Sequence, residues 1–223
     1  MARVLDELGV WVDPVRRDGP TQMACDEMLL ANSTDAVLRV FRWSEPWISA
    51  GYFVPWKGAQ AARPDLPVCR RWTGGGVVVH ENDFTFALVA PRSENLARLR
   101  PDESYRVLHG AAAEALRALG IPADLFTNQA VGAAECFAGP VPHDVMSVGR
   151  KIAGGAQRRT KRGLLHQGSI QLAGLGADFA DVLAAHLANE TNLWSPPAGF
   201  EQAVSSLARE KYAQDHFLRR EVP

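Results

Sequence analysis

Gly149-Arg150-Lys151-Ile152-Ala153-Gly154-Gly155-Ala156 opens a run that passes through a basic turn, Arg158-Arg159-Thr160-Lys161-Arg162-Gly163, into Leu164-Leu165-His166-Gln167-Gly168-Ser169-Ile170. Two arms of small and apolar residues around a charged turn read as a β-hairpin. Lys151 has glycines and alanines on both sides, so no side chain blocks the approach of another backbone or a ligand. Alone, the run is a hairpin with a solvated basic turn. Two other stretches, Arg70 to His80 and Cys136-Phe137, favour a functional reading.

Working outward, Asp144 to Val148 reads as a strand pairing with Lys151 to Arg158 around Gly149-Arg150. On the N-terminal side, Arg70-Arg71-Trp72 leads through Thr73-Gly74-Gly75-Gly76 to Val77-Val78-Val79-His80. A triple glycine between a basic and an apolar strand suits backbone N–H groups facing an anionic or carbonyl ligand. It has neither Walker nor GxGxxG spacing, and alone is more often a tight turn.

Val10 to Val12, Ala36 to Arg42, Trp47 to Phe53 and Phe84 to Ala90 read as strands, and Trp56-Lys57-Gly58 as a loop. A helix starts at Gly19-Pro20-Thr21, with Thr21 as its N-cap, placing Cys25, Met28 and Leu29 on one side and Asp26 and Glu27 elsewhere. Pro101 to Gly120 carries the i, i+3, i+4 pattern of an amphipathic helix, with His109 on its surface. Ala123 to Glu135 reads as a strand and a loop. Helices over Asp178 to Ala188 and Phe200 to Tyr212 close the chain. Strands early and helices late predict an α+β sandwich with a mixed sheet rather than alternating βαβ units.

With 223 residues and 47% hydrophobic content the chain is expected to form a single domain over 1–223. A net charge of -1 gives no global attraction to nucleic acid or to an anionic membrane. Three cysteines without metal-like spacing indicate neither a disulfide framework nor a metal site. With no signal core and no apolar run of spanning length, a cytoplasmic protein is expected.

Taken together, RRWTGGGVVVH, CF followed by GRKIAGGAQRR, and LLHQGSI resemble the lipoate-protein ligase and octanoyltransferase family, whose catalytic fold is shared with biotin-protein ligases (class II synthetase-like). The resemblance covers nearly the whole chain, from Met23-Ala24-Cys25-Asp26-Glu27 to Leu207-Ala208-Arg209-Glu210-Lys211-Tyr212. It implies a mixed, mostly antiparallel sheet flanked by helices, and attachment of a medium-chain acyl group to a lysine of a lipoyl domain or of the glycine cleavage H protein. Arg71 and Thr73, Gly74, Gly75 and Gly76 would form the loop beside the acyl group, and His80 would close it. Lys151 would contact the acyl carbonyl, Gly154, Gly155 and Ala156 would line the acyl tunnel, and His166 and Gly168 would border the same pocket. Such a transfer builds negative charge on a carbonyl oxygen, which a fixed ammonium and backbone N–H groups stabilise.

Cys136-Phe137, one hairpin before the lysine segment, resembles the cysteine-type octanoyltransferases, which take the acyl group from acyl carrier protein as an enzyme thioester and use no cofactor. Asn128 is followed by Gln129, not by the aspartate of the ligase pattern, and the chain stops soon after Tyr212, where many ligases carry an accessory domain. Gly76 and Phe86-Ala87 depart from the transferase pattern. The alternatives are an ATP- and Mg2+-dependent lipoate-protein ligase and, more distantly, a non-catalytic relic that binds acyl groups. The basic turn Arg158 to Arg162 is expected to attract an acidic carrier or lipoyl domain.

Overall fold

In the computed structural model, which describes residues 3–127, 139–176 and 178–220, the Arg150–Ile170 hairpin lies inside an eight-stranded sheet. In chain order the elements are β1 (Leu5–Val12), α1 (Gly19–Asn32), β2 (Val37–Phe41), β3 (Trp47–Ala50), α2 (Trp56–Ala62), β4 (Val68–Arg70), β5 (Val77–His80) and β6 (Phe84–Pro91). There follow α3 (Asn95–Arg98), α4 (Pro101–Ala118), β7 (Asp124–Leu125), β8 (Val145–Ser147), β9 (Arg150–Arg159) and β10 (Gly163–Ile170). Last come α5 (Asp178–Leu187), β11 (Ala188–Leu193), α6 (Phe200–Leu207) and α7 (Asp215–Leu218).

The large sheet runs β11-β1-β2-β6-β10-β9-β8-β7, parallel at β11/β1/β2 and antiparallel from β2 onward. A smaller sheet runs β4-β3-β5. This is the α+β, mostly antiparallel arrangement expected. Apolar side chains of α4 and α5 (Leu108, Leu116, Phe179, Leu183) bury one face of the large sheet, with Leu164 and Ile170 pointing into them. The other face, reached by Leu165, is covered by α1, α6 and part of the small sheet. Such alternation along a strand is what two covered faces require.

Several local readings change. Asp18, not Thr21, caps α1, its carboxylate accepting from the Thr21 N–H at 2.9 Å. Trp56 begins a short helix instead of a loop. The residues after α5 form β11, which pairs in parallel with β1, although only Ala188 of that strand is buried, so no apolar run marked it. Strands β2 and β3 belong to different sheets.

The largest correction concerns Asp26, which is fully buried against Arg39 of β2. Arg39 Nη1 donates to Asp26 Oδ1 at 2.6 Å, its Nη2 to Asp13 Oδ2 at 2.7 Å and to Gln22, and its guanidinium lies 4.2 Å from the Phe41 ring centre. A buried arginine between two carboxylates is tolerated because every charge has partners.

Candidate functional site

The site forms where the glycine loop of the small sheet faces β9 and β10 of the large one. Here Gly51 lets the two turns close: a Cβ on it would sit 2.0 Å from Gly75 O. Gly75 itself has φ +80, a conformation suited to glycine. Arg71 holds the turn from within. Its Nη1 donates to Ser49 O and Ser49 Oγ, both at 2.7 Å, and its Nη2 to Gly74 O at 3.0 Å and Gly76 O at 2.8 Å. Burial pulls the Arg71 guanidinium down to about 10. This arginine, expected beside the acyl group, lines the cavity but spends its donors on the loop's carbonyls.

Thr73 turns inward, donating from Oγ1 to Gln167 Oε1 at 2.7 Å, and Gln167 Nε2 donates to Asp26 Oδ2 at 2.7 Å. The loop is thereby tied through Gln167 and Asp26 to the buried Arg39. His80 lines the same cavity, stacked 4.3 Å from Trp43. Its Nδ1 is 2.8 Å from Asp83 Oδ2 and its Nε2 2.7 Å from Ser49 Oγ. Asp83 also accepts from Thr85 and Ser169, so Nδ1 carries the proton and the Ser49 hydroxyl donates to Nε2. Burial lowers the His80 pKa, against the opposing pull of Asp83.

Between this loop and the β8–β9 hairpin lies a cavity of about 740 Å³, lined by Trp43, Gly75, Val78, Met146, Lys151 and Gly168 among others. Its size and mixed apolar lining suit a medium-length acyl chain with a polar end. Lys151 stands at its rim, 45% exposed, with Nζ 2.7 Å from Asp144 Oδ2. The Asp144 carboxylate is buried and also accepts from the Val141 N–H at 2.8 Å. Gly154 makes this pair possible: a Cβ there would lie 2.8 Å from Asp144 Oδ1 and 3.0 Å from Lys151 Cε. Asp144 precedes β8, where Met146 and not Asp144 stands opposite Lys151, so the pair is diagonal across a register shift and carries no direct cross-strand signal in the sequence.

Gly155, Ala156 and Gly168 border the cavity. Gly155 and Gly168 do so with backbone only, because their missing side chains point to the opposite face. A Cβ on Gly155 would meet His166 Nε2 at 2.5 Å, and one on Gly168 the Phe86 ring at 2.2 Å. His166, expected in the pocket, is instead buried on that opposite face between Phe86, Tyr105 and His109. The reason is strand alternation: Gln167, its neighbour, takes the cavity side. His109, expected on the surface of α4, is buried too, with Nδ1 2.7 Å from His143 O. Cys136, with Asn128 and Gln129, lies outside the described residues. Among the described residues no group of three or more His, Cys, Asp or Glu is placed to hold a metal ion, and no helix is long and apolar enough to cross a membrane.

Comparison with solved structures gives the architecture its class, that of the lipoate-protein ligases. A bipartite lipoate protein ligase from Thermoplasma acidophilum superposes with a TM-score of 0.76 at 17% identity, covering 98% of this chain and 98% of that one. The chain belongs to the lipoyl protein ligase A/B catalytic domain family, whose model matches residues 18–216. Among curated relatives, the octanoyltransferase LipM of Moorella thermoacetica is 35% identical over 74% of this chain and 66% of its own length. LipM of Oceanobacillus iheyensis is 29% identical over 75% of this chain and 65% of its own length. The match therefore spans about two thirds of the length of these relatives.

Proposed function

We propose that the protein moves an octanoyl or lipoyl group from acyl carrier protein to a lysine of a lipoyl domain or glycine cleavage H protein, through a thioester on Cys136. The observation that carries this reading is the held ammonium of Lys151 at the rim of an acyl-sized cavity that Gly139, three residues after Cys136 in sequence, also lines. The similarity to octanoyltransferases named LipM supports the same assignment.

In the first step the Cys136 thiolate attacks the carbonyl carbon of the donor thioester. The new C–S bond forms, the bond to the carrier arm breaks, and the departing thiolate takes up the proton that Cys136 gave up. In the second step the neutral amine of the target lysine attacks the Cys136 thioester. The C–N bond forms, and the cysteine leaves with the amine's proton. Each step passes through a tetrahedral oxyanion. Lys151, held by Asp144, would stabilise it, and because the thioester exchange is nearly balanced in energy and the aminolysis to an amide is downhill, the shuttle needs no nucleotide. ATP and Mg2+ belong to the ligase alternative.

The test is reconstituted transfer from octanoyl-acyl carrier protein to a lipoyl domain in the absence of ATP. Turnover by the wild-type chain, lost in Cys136→Ser, is expected. Full activity of Cys136→Ser would remove the thioester mechanism, and transfer that starts only on adding ATP and free octanoate or lipoate would make the protein a ligase.

A further inference from the structure

Beside the glycine loop, cations crowd around two half-buried aromatic rings. Arg158 and Arg220 both lie over Tyr52, at 5.5 and 4.6 Å from its ring centre, and Arg158 and Lys211 both lie over Trp72, at 5.0 and 4.6 Å. Arg70 stands beneath them, donating to the backbone carbonyls of Gly51, Tyr52 and Val54, with its Nη2 buried and unpartnered. Arg220 is close enough to press the Arg70 pKa down further than burial alone does. Glu27 is the carboxylate that meets this group, and it is engaged by Lys211 and the Tyr212 hydroxyl. Phe53, 62% exposed, extends the patch outward.

Like charges held this close repel one another, so among the described residues this cluster keeps a local excess of positive charge, although the chain as a whole carries a net charge of only -1. The patch adjoins the cavity directly: Tyr52 N donates to Thr73 O, and Gly51 packs on Gly75, which lines the cavity. The basic turn supplies only part of it. Arg159 turns away to Ala97 O and Ser104 Oγ, and Arg162 to Ala31 O, leaving Arg158 as the residue of that turn that joins the aromatic rings. Elsewhere the cavity lining holds the exposed Val141 together with Lys151, and the hairpin turn before Lys151 exposes Val148.

We propose that Tyr52, Trp72, Arg158, Lys211 and Arg220 form the docking surface for the acyl donor, an acidic carrier protein whose acyl chain hangs on a phosphate-bearing arm. This rests on the transferase reading above. An acidic protein surface complements the field, the arm's phosphodiester is a match for guanidinium groups stacked on aromatic rings, and the arm then has a short path past Gly75 into the cavity.

The experiment measures binding without chemistry, by fluorescence anisotropy of labelled acyl carrier protein carrying its unacylated phosphopantetheine arm, and separately of a lipoyl domain. Arg220→Glu, at an exposed position whose guanidinium donates to the Tyr52 hydroxyl, and Arg158→Gln are compared with the wild-type chain and with Arg106→Glu, an exposed cation of α4 outside the patch. Carrier binding at least about tenfold weaker in Arg220→Glu at low salt, a gap that closes as salt screens the charges, is expected, with lipoyl-domain binding and Arg106→Glu unaffected. Unchanged carrier binding in both patch variants overturns the proposal. So does a loss shared by Arg106→Glu, which would be a net-charge effect, or a loss confined to the lipoyl domain, which would give the surface to the acceptor. Because the unacylated carrier is used, its binding at the patch supports the surface even in a chain that fails to transfer octanoate, and that failure alone sinks the transferase reading.

Discussion

Gly155→Ala separates two roles for one glycine. Were Gly155 small in order to leave room for an acyl chain, adding a methyl would narrow the cavity and change chain-length preference while leaving the fold intact. The geometry places the new Cβ on the other face, 2.4 Å from His166 Cε1, 2.5 Å from its Nε2 and 2.9 Å from Gln167 O. Cβ contacts need more than 3 Å, so His166 must retreat by roughly an ångström, and it is fully buried against Phe86, Tyr105 and His109. Overpacking of that kind costs typically about 1–3 kcal/mol, and at about 2–4 °C of melting temperature per kcal/mol for a chain of this size the expected drop is about 2–12 °C. The assay is thermal unfolding of Gly155→Ala, His166→Ala and the double variant. In the His166→Ala background the ring clash is gone and only the 2.9 Å approach to Gln167 O remains, so the added methyl costs less than in the wild type and the pair is non-additive. A Gly155→Ala protein that melts with the wild type, or a cycle that is additive within about 0.5 kcal/mol, would refute the assignment.

Other expectations follow from the same geometry. Asp144→Asn removes the charge that fixes Lys151 Nζ and should lower the transfer rate by about 10–100-fold with little change in carrier binding, because a misplaced catalytic group loses rate first; steady-state kinetics decide, and an unchanged kcat counts against it. Arg39→Ala leaves Asp26 buried without its counter-charge, while Asp13 keeps Arg17, and should cost about 3–5 kcal/mol in urea unfolding; a loss below about 1 kcal/mol would show that Asp26 relaxes. Burial lowers the pKa of both His109 and His166, so the unfolded chain binds more protons than the folded one once the pH falls below about 6.5. Stability from these two groups is complete above that pH and declines as the pH falls towards their folded values, at most by about 2.7 kcal/mol per pH unit for two protons. Replacing His166 by Gln should flatten the decline between pH 6.5 and 5 in denaturant titrations, and an unaltered slope would exclude it as a contributor.

The parts of the fold that were legible in sequence are those whose pattern is local. The Arg150–Ile170 hairpin, α4 with its Gly120 stop, and the glycine turn between β4 and β5 all carry their own periodicity or backbone demands. Strand β11 was not legible, since only Ala188 of it is buried and parallel pairing with β1 leaves no turn signal. Asp26 and Arg39 were not legible for a different reason. Each looks like a surface charge until its partner, distant in sequence, is beside it. The site divides in the same way. Lys151, His80, Gly75 and Gly76 line one cavity, while Thr73 and Gly74 of the same loop do not, Thr73 being turned inward to Gln167. The side-chain direction along β10 was missed at His166, where the composition of the segment offered no way to choose between it and Gln167 as the cavity-facing neighbour. Ser49 and Asp83 emerge only once the two sheets are brought together, and Asp144 only once the register of the β8–β9 hairpin is known.

The most direct measurement is the intact mass of the purified protein after mixing with octanoyl-acyl carrier protein and no ATP. The account predicts one added octanoyl group that hydroxylamine removes and that Cys136→Ser does not acquire as a thioester. An unchanged mass, with octanoyl- or lipoyl-adenylate appearing only when ATP is supplied, would contradict it.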